Sequence, residues 1–333
     1  MIIDSLIFDF IYRKIASRRI SLGDTSKLDA NSRSTILMLW PSLSDDFPKY
    51  INRNFPNLVD HEPLYDSCGL LKRAKRYVLS VCGLSTKSYL SSWIDRLNSY
   101  QSIIINANVI NSTVPATLRK IGYRGRIIYW YWNPVDGRTS PKPSKSLRKH
   151  SDLWSFTQSD CMRYNLKFNS TYYFMNTESM TTNNGAIYFV GRDKGRYEEL
   201  CALKSKIEQL GIKTDFHIIA DKKSPKGNNY SPFIAYSNVI ATIKKSGAIL
   251  EILQEGQEGY SLRVMESLFF NKKLISNNPL LKYAPFYNSN NIFIIDNSNL
   301  KGLADFMSRP FVQVKSGLID YYRFDNWLSR FEM

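Results

Sequence analysis

Glu258 and Glu266 stand with seven residues between them in the segment LQEGQEGYSLRVMESLFFNKKLISNN, residues 253–278. The apolar run Ala248–Leu253 before it has strand character, Ser261 is a helix-starting residue, and KLIS at Lys273–Ser276 reads as the next strand. Backbone N–H groups from about Gly259 to Leu262 would then lie at the start of a helix, where orphan donors and the helix dipole favour a diphosphate. Gly256 and Gly259 permit close backbone approach. Glu258 belongs to the loop, whereas Glu266 lies more than a turn inside the helix and is too deep to cap it. A carboxylate at that depth accepts hydrogen bonds from two vicinal hydroxyls, the pair that a ribose offers.

A second group of charges follows the apolar run Ala186–Val190: Gly191-Arg192-Asp193-Lys194-Gly195-Arg196. Fixed cations at a strand end stabilise negative charge that develops on a leaving phosphate. Arg binds phosphate in bidentate fashion and Lys as a point charge. Taken alone, a basic loop after a strand reads as a solvated surface; the lesser alternative for the glutamates is an ordinary βα loop that they decorate.

The elements around these residues repeat as strand and helix. In the C-terminal half, strands are expected at Ala186–Val190, Thr214–Ala220, Ala248–Leu253, Lys273–Ser276 and Ile292–Ile295. Helices are expected over Tyr197–Leu210, closed by Gly211 as a left-handed cap, over Ser237–Ser246 and over Leu262–Phe270. In the first half, TILMLW (Thr35–Trp40), YVLSVC (Tyr77–Cys82), IIIN (Ile103–Asn106) and IIYWYW (Ile127–Trp132) read as strands. Ser88–Ser99 and Val114–Ile121 read as helices, and Lys142–His150 as a mobile loop. Alternation of this kind predicts an α/β chain with mostly parallel sheets, whose ligands bind at the carboxyl ends of the strands. The expected division is 1–180, 181–312 and a C-terminal helix over 313–333 that crosses back to the first domain.

With these elements in place, the resemblance is to GT-B glycosyltransferases: EGYSLRVMESLFFNKKLI is similar to their donor-binding signature of Glu, a glycine loop, a second Glu eight positions on, a basic residue and an apolar strand. YFVGRDKGR together with ILQEGQEGYSLRVMESLFFNKKLISNN more closely resembles bacterial transferases of lipopolysaccharide core, O-antigen or capsule, over about Ile187–Ile295. The resemblance implies two Rossmann-like domains with parallel sheets facing a central cleft. It implies a nucleotide-sugar donor and a saccharide or lipid-linked saccharide acceptor. It further implies that Glu266 binds the ribose, that Glu258 faces the donor sugar, and that Gly259, Tyr260 and Ser261 present backbone groups to the diphosphate. Gly191, Arg192 and Lys194 become the cationic phosphate loop, with Arg196 a third candidate, and the paired glutamates lean towards retention of configuration. Ser261, Arg263 and Asn271-Lys272 depart from the usual pattern.

No Asp-x-Asp pair occurs to carry a divalent ion, so Arg192 and Lys194 are expected to neutralise the diphosphate without a metal, and no cofactor is expected. The acceptor side is expected from the first half. Asn106–Asn108 and Asn133–Asp136 follow two of its strands, Asp136 is the candidate for acceptor positioning or base work, and Tyr129–Trp132 offers either a sugar-stacking platform or core.

Composition narrows the partners. The chain has 333 residues, 43% of them hydrophobic, and a formal charge of +16 from 45 basic and 29 acidic residues. Such an excess calls for an anionic partner. No basic recognition helix, RNP-type strand or zinc motif is visible, so nucleic acid is not expected. Peripheral contact with the anionic inner face of a cytoplasmic membrane is expected instead, in a cytoplasmic protein. The stretch MIIDSLIFDFIYRKIASRR has its basic residues after its apolar ones, unlike a secretory leader. On a helix it would be either interfacial or packed on its own domain. Four scattered cysteines and three isolated histidines (His61, His150, His217) assemble no zinc site by spacing. Cys68, Cys82, Cys161 and Cys201 are expected to be reduced thiols.

Overall fold

The computed structural model describes residues 34–41, 46–176, 183–254, 257–295 and 299–331. The expected helix at Met1–Arg19 and the loop residues Glu255 and Gly256 lie outside these. Two compact units are present. Among the described residues, one takes in 34–175, 257–260 and 322–331, and the other 183–254 and 261–321.

The first unit is built on strands β1 (Ile36–Trp40), β2 (Asp60–Pro63), β3 (Ser102–Asn106), β4 (Arg126–Tyr131), β5 (Asp152–Ser155) and β6 (Lys167–Phe168). They form one parallel sheet in the order β2-β1-β3-β4-β5-β6. Its helices are α1 (Phe47–Asn54), α2 (Leu70–Val81), α3 (Val114–Lys120), α4 (Lys145–His150) and α5 (Gln158–Tyr164). Alternate residues explain why both faces must be covered. Leu37, Leu39, Ile103, Ile105, Ile127 and Tyr129 line one core, while Met38, Ile104, Ile128 and Trp130 point the other way and are equally buried.

Tyr129, Trp130 and Tyr131 of the aromatic run are therefore core, each 0% exposed, while Trp132 after the strand is half-buried and meets Tyr172 edge-on at 4.9 Å. The second face of β4 is covered by the C-terminal helix, residues 324–329, whose Trp327 meets Trp130 edge-on at 5.3 Å, while Phe331 meets Trp154 at 4.9 Å. Burying side chains of this size contributes roughly 1.5–3 kcal/mol each, which fixes the chain's end to this unit.

Three expectations for this half are corrected. YVLSVC is no strand; it completes helix α2, because Gly69 and the run LLKRAKRYVLSV support helical hydrogen bonding that starts at Leu70. Ser88–Ser99 forms two 3₁₀ segments, Lys87–Tyr89 and Ser92–Ser99, rather than one α-helix. Within Lys142–His150, residues Lys145–His150 are helical, because the Ser144 hydroxyl accepts from the Leu147 N–H at 3.1 Å and basic residues occupy the last turn.

The second unit has strands β7 (Ile187–Arg192), β8 (Thr214–Ile219), β9 (Ala248–Glu251), β10 (Lys273–Ser276) and β11 (Ile292–Ile294), all parallel, in the order β8-β7-β9-β10-β11. Helices α6 (Tyr197–Gln209), α7 (Tyr236–Lys245), α8 (Leu262–Phe269), α9 (Leu303–Ser308) and α10 (Ser316–Asp320) complete it, and residues 324–329 are α11 of the chain. Helix α6 ends where expected, with Gly211 at φ +75°. Its Leu200, Leu203 and Ile207 pack on Ile187, Phe189, Ala248 and Leu250. At the far end of the sheet, Lys273 is 6% exposed and donates from Nζ to the carbonyls of Phe306, Met307 (3.0 Å) and Arg309 (2.6 Å). A buried ammonium thus caps the last turn of α9.

The order β8-β7-β9 has a consequence for function. The chain passes from β7 to β8 on one side and then crosses to β9 on the other, so the carboxyl ends of β7 and β9 form the switch point at which open α/β sheets bind ligands.

Candidate nucleotide site

The β7 exit forms one side of this switch point. Gly191 and Arg192 end the strand, and Asp193 continues its pairing by donating its N–H to the Ile219 carbonyl at 2.8 Å. The Asp193 side chain is wholly buried and holds the loop together: it accepts from the Tyr197 N–H at 2.9 Å and the Tyr230 hydroxyl at 2.8 Å. Burial alone would raise this carboxyl, but those donors outweigh it and hold it below the usual range. Lys194 and Gly195 then turn through the left-handed region at φ +49° and +79°, with the Lys194 N–H on the Asp221 carboxylate at 2.8 Å.

Arg192 and Lys194 are left exposed at the turn. Partial desolvation, then the charges of Arg196 and Arg192, pull the Lys194 ammonium below the ordinary lysine value. Such crowding of cations marks a place where an anion would be welcome. Arg196 behaves differently. Its guanidinium donates to the carbonyls of Ile252, Arg192 (2.9 Å) and Asp193 (3.3 Å), so it braces the ends of β7 and β9 against each other.

On the other side stand the end of β9 and the start of α8. Ser261 is the N-cap of α8: its hydroxyl accepts from the Arg263 N–H at 3.1 Å and donates to Glu251. Glu251 is 3% exposed, ends β9 and also receives the Ser276 hydroxyl from the end of β10. Burial pushes its carboxyl up, against the two hydroxyls and Arg263. After β9, the Leu253 N–H and carbonyl pair with the Asn277 side-chain amide at 2.7 and 3.3 Å.

Glu266 sits in the second turn of α8 and is 0% exposed. One carboxylate oxygen accepts from the Tyr236 hydroxyl of α7 at 2.8 Å, and the other from the Arg263 guanidinium. Burial drives the carboxyl up, while Arg263 and Tyr236 pull it back. Tyr188 of β7, 1% exposed, lies within electrostatic reach of Arg263 and Glu266. With Glu266 0% exposed, a diol would reach it only after the side chains that cover it move, Arg263 among them at 21% exposed.

The residues singled out in the sequence divide between the units. Gly191, Arg192, Lys194, Ser261, Leu262 and Glu266 belong to the second unit, around one sheet edge. Glu258, Gly259 and Tyr260 pack with the first unit instead. Gly259 adopts φ +88°, and a Cβ there would stand 2.9 Å from Phe156 Cε2. The Tyr260 carbonyl accepts from the Thr171 hydroxyl at 2.7 Å, and Glu258 is exposed.

Asp136 has an architectural use in the first unit. Its Oδ1 accepts from the backbone N–H groups of Arg138 (2.8 Å), Thr139 (2.7 Å) and Ser140 (3.0 Å). Partial burial would raise this carboxyl, but the three donors outweigh it and keep it below the usual carboxylate range, which makes it a weak proton acceptor. The asparagines after β3 also serve structure. The Asn106 amide donates to the Leu39 carbonyl at 3.2 Å, and Asn108 and Asn111 form a reciprocal cap on a 3₁₀ turn.

The sequence assigns no role to Asp193, Glu251 or Tyr236, and marks Arg263 only as a departure from the usual pattern. The signal for Glu251 was available, because an acidic residue inside the buried parallel strand AILE needs partners. Among the described residues, no three His, Cys, Asp or Glu side chains cluster as metal ligands, and the four cysteines are unpaired. No described helix is long and apolar enough to cross a membrane.

No protein-family model and no curated protein matches this sequence. Solved structures do match in fold. A sucrose-phosphate synthase from Thermosynechococcus elongatus superposes with a TM-score of 0.57 at 10% identity, over 90% of this chain and 98% of its own. Two further likenesses score lower. The DNA-modifying enzyme β-glucosyltransferase gives 0.49 at 14% identity, and the lipopolysaccharide outer core galactosyltransferase WaaB in its apo form gives 0.45 at 14%. Each covers 89% of this chain and 98% of its own. The fold is thus GT-B, with two Rossmann-like units each built on a parallel sheet.

Proposed function

We propose that this protein is a glycosyltransferase that takes a hexosyl or deoxyhexosyl group from a nucleoside-diphosphate sugar. The observation that carries this reading is the make-up of one sheet edge. The exposed cations Arg192 and Lys194 follow β7, and a Ser261-capped helix with Glu266 in its second turn follows β9. Arg192 and Lys194 hold the diphosphate together with the α8 start. Glu266 takes the ribose hydroxyls in exchange for Arg263, and Glu258 faces the sugar. Transfer forms a bond from the anomeric carbon to an acceptor hydroxyl oxygen as the bond to the distal phosphate oxygen breaks; that oxygen keeps the electron pair and takes up the acceptor's proton. The two cations stabilise that growing charge, so the reaction runs without a divalent ion. The acceptor is a saccharide of lipopolysaccharide, O-antigen or capsule type, free or lipid-linked, with the product configuration retained.

The test is a thermal-shift screen against UDP, GDP, CMP, dTDP and ADP sugars, followed by product analysis in EDTA. Stabilisation by one nucleotide series and sugar appearing on an acceptor support the reading. No nucleotide binding would remove it. Donor isomerised with nothing transferred would replace it with epimerase chemistry, and activity lost in EDTA and restored by Mn²⁺ would overturn the metal-free step.

A further inference from the structure

Helix α2 is amphipathic in the wrong sense for a helix that packs on its own core. At about 100° per residue, Leu70, Leu71, Ala74, Tyr77, Val78 and Val81 fall within an arc of about 120°. That arc faces solvent: Leu70 is 81% exposed, Leu71 88%, Val78 57% and Val81 60%, and Leu84 follows at 54%. The side turned to the protein is the polar one. Ser80, the helix's one buried residue, donates its hydroxyl to the Val109 carbonyl at 3.0 Å, and the Arg76 guanidinium lies 4.2 Å from the Tyr65 ring. An apolar stripe of this size costs free energy in water unless something covers it.

The charges around the stripe say what does. Between Asp66 and Asp95 the sequence has no acidic residue, against Lys72, Arg73, Lys75, Arg76 and Lys87. Arg73 and Lys75 fall on the two borders of the apolar arc, where long basic side chains extend beside buried neighbours to reach anionic groups. A protein partner for such a stripe would need matching acidic residues at defined positions, whereas an anionic bilayer supplies both an apolar layer and a diffuse negative surface. We propose that α2 is a membrane-surface helix that lies in the headgroup region of an acidic bilayer. Its apolar arc enters the acyl boundary, and Arg73 and Lys75 on its two borders sit among lipid phosphates. The inference concerns a surface of the first unit and does not depend on the transfer chemistry.

Cosedimentation of the full chain with vesicles tests it. On phosphatidylcholine containing about a third phosphatidylglycerol, the wild-type chain is expected to pellet at low salt and to be released as salt screens the charges. Leu71→Ser with Val78→Ser, both outward-facing, should lower partitioning at least about tenfold with an unchanged melting temperature and unchanged nucleotide binding. Arg73→Ala with Lys75→Ala should lower it about fivefold per charge on the acidic vesicles, and little on pure phosphatidylcholine. A wild-type chain that stays in the supernatant, or a Leu71→Ser/Val78→Ser variant that pellets like wild type, overturns the proposal. So does light scattering that shows a dimer which the same variant dissociates, since α2 would then face a second copy.

Discussion

Glu266 gives the sharpest test, because packing and ligand binding both place demands on it. In Glu266→Ala the Tyr236 hydroxyl loses its acceptor and Arg263 loses its counter-charge. Breaking a buried ion pair costs about 3–5 kcal/mol, and losing the Tyr236–Glu266 hydrogen bond about 1 kcal/mol more. The Arg263 side chain is 21% exposed, so water recovers part of this, and a net loss of about 3 kcal/mol is expected. For a unit of this size that is a fall of about 6–12 °C in melting temperature. Glu266→Gln keeps the volume and an acceptor for Tyr236, and should lose only about 1–2 kcal/mol. The double change Arg263→Met with Glu266→Leu replaces the pair by apolar groups of similar size and should return most of the stability.

The double variant separates the two demands. If Glu266 also receives the ribose diol, both Glu266→Ala and the double variant should bind the cognate nucleoside diphosphate about 30–150-fold more weakly by calorimetry, for about 2–3 kcal/mol of lost hydrogen bonding. A stable double variant with wild-type nucleotide affinity would refute the ribose assignment. An unchanged melting temperature in Glu266→Ala would refute the packing argument.

Further outcomes follow from single residues. The His61 Nδ1 accepts from the Trp40 indole N–H at 2.9 Å, and burial pulls its pKa from the ordinary value of 6.5 down to about 4. The unfolded chain then binds the extra proton first, so stability should fall as pH drops from about 6.5 towards 4, by up to about 3 kcal/mol. Urea titrations across that range should show it, and His61→Gln should flatten the dependence. Lys273→Met leaves the α9 end carbonyls without their donor, so unfolding should come about 2–3 kcal/mol earlier. Gly259→Ala meets both a left-handed backbone and Phe156, and should cost about 1–3 kcal/mol in chemical denaturation.

Much of the second unit was legible in its sequence. Its strands, the Gly211 cap and the Ser261 start depend on interactions within a few residues, where periodicity and capping operate. The GRDKGR loop and the paired glutamates were legible for the same reason, since their residue types stand next to one another in the chain. The first unit was read less well. YVLSVC is a β-rich run by composition, and only the whole segment from Leu70 shows that its apolar residues share one helical face. That the face turns outward is a property of the packing, so no periodicity could reveal it.

Sequence alone thus determined which segments become strands and helices in the second unit, and which of its residues carry charge suited to a nucleotide. Tertiary structure decided their partners. The strand order β8-β7-β9 brings Arg196 of one strand end onto Ile252 of another, far along the chain. Burial then turns Glu266 into the shared acceptor of Tyr236 and Arg263 and leaves Arg192 and Lys194 in water. Arg196–Ile252 and Tyr236–Glu266 join residues tens of positions apart, and their energies exist only once the sheet has closed the distance.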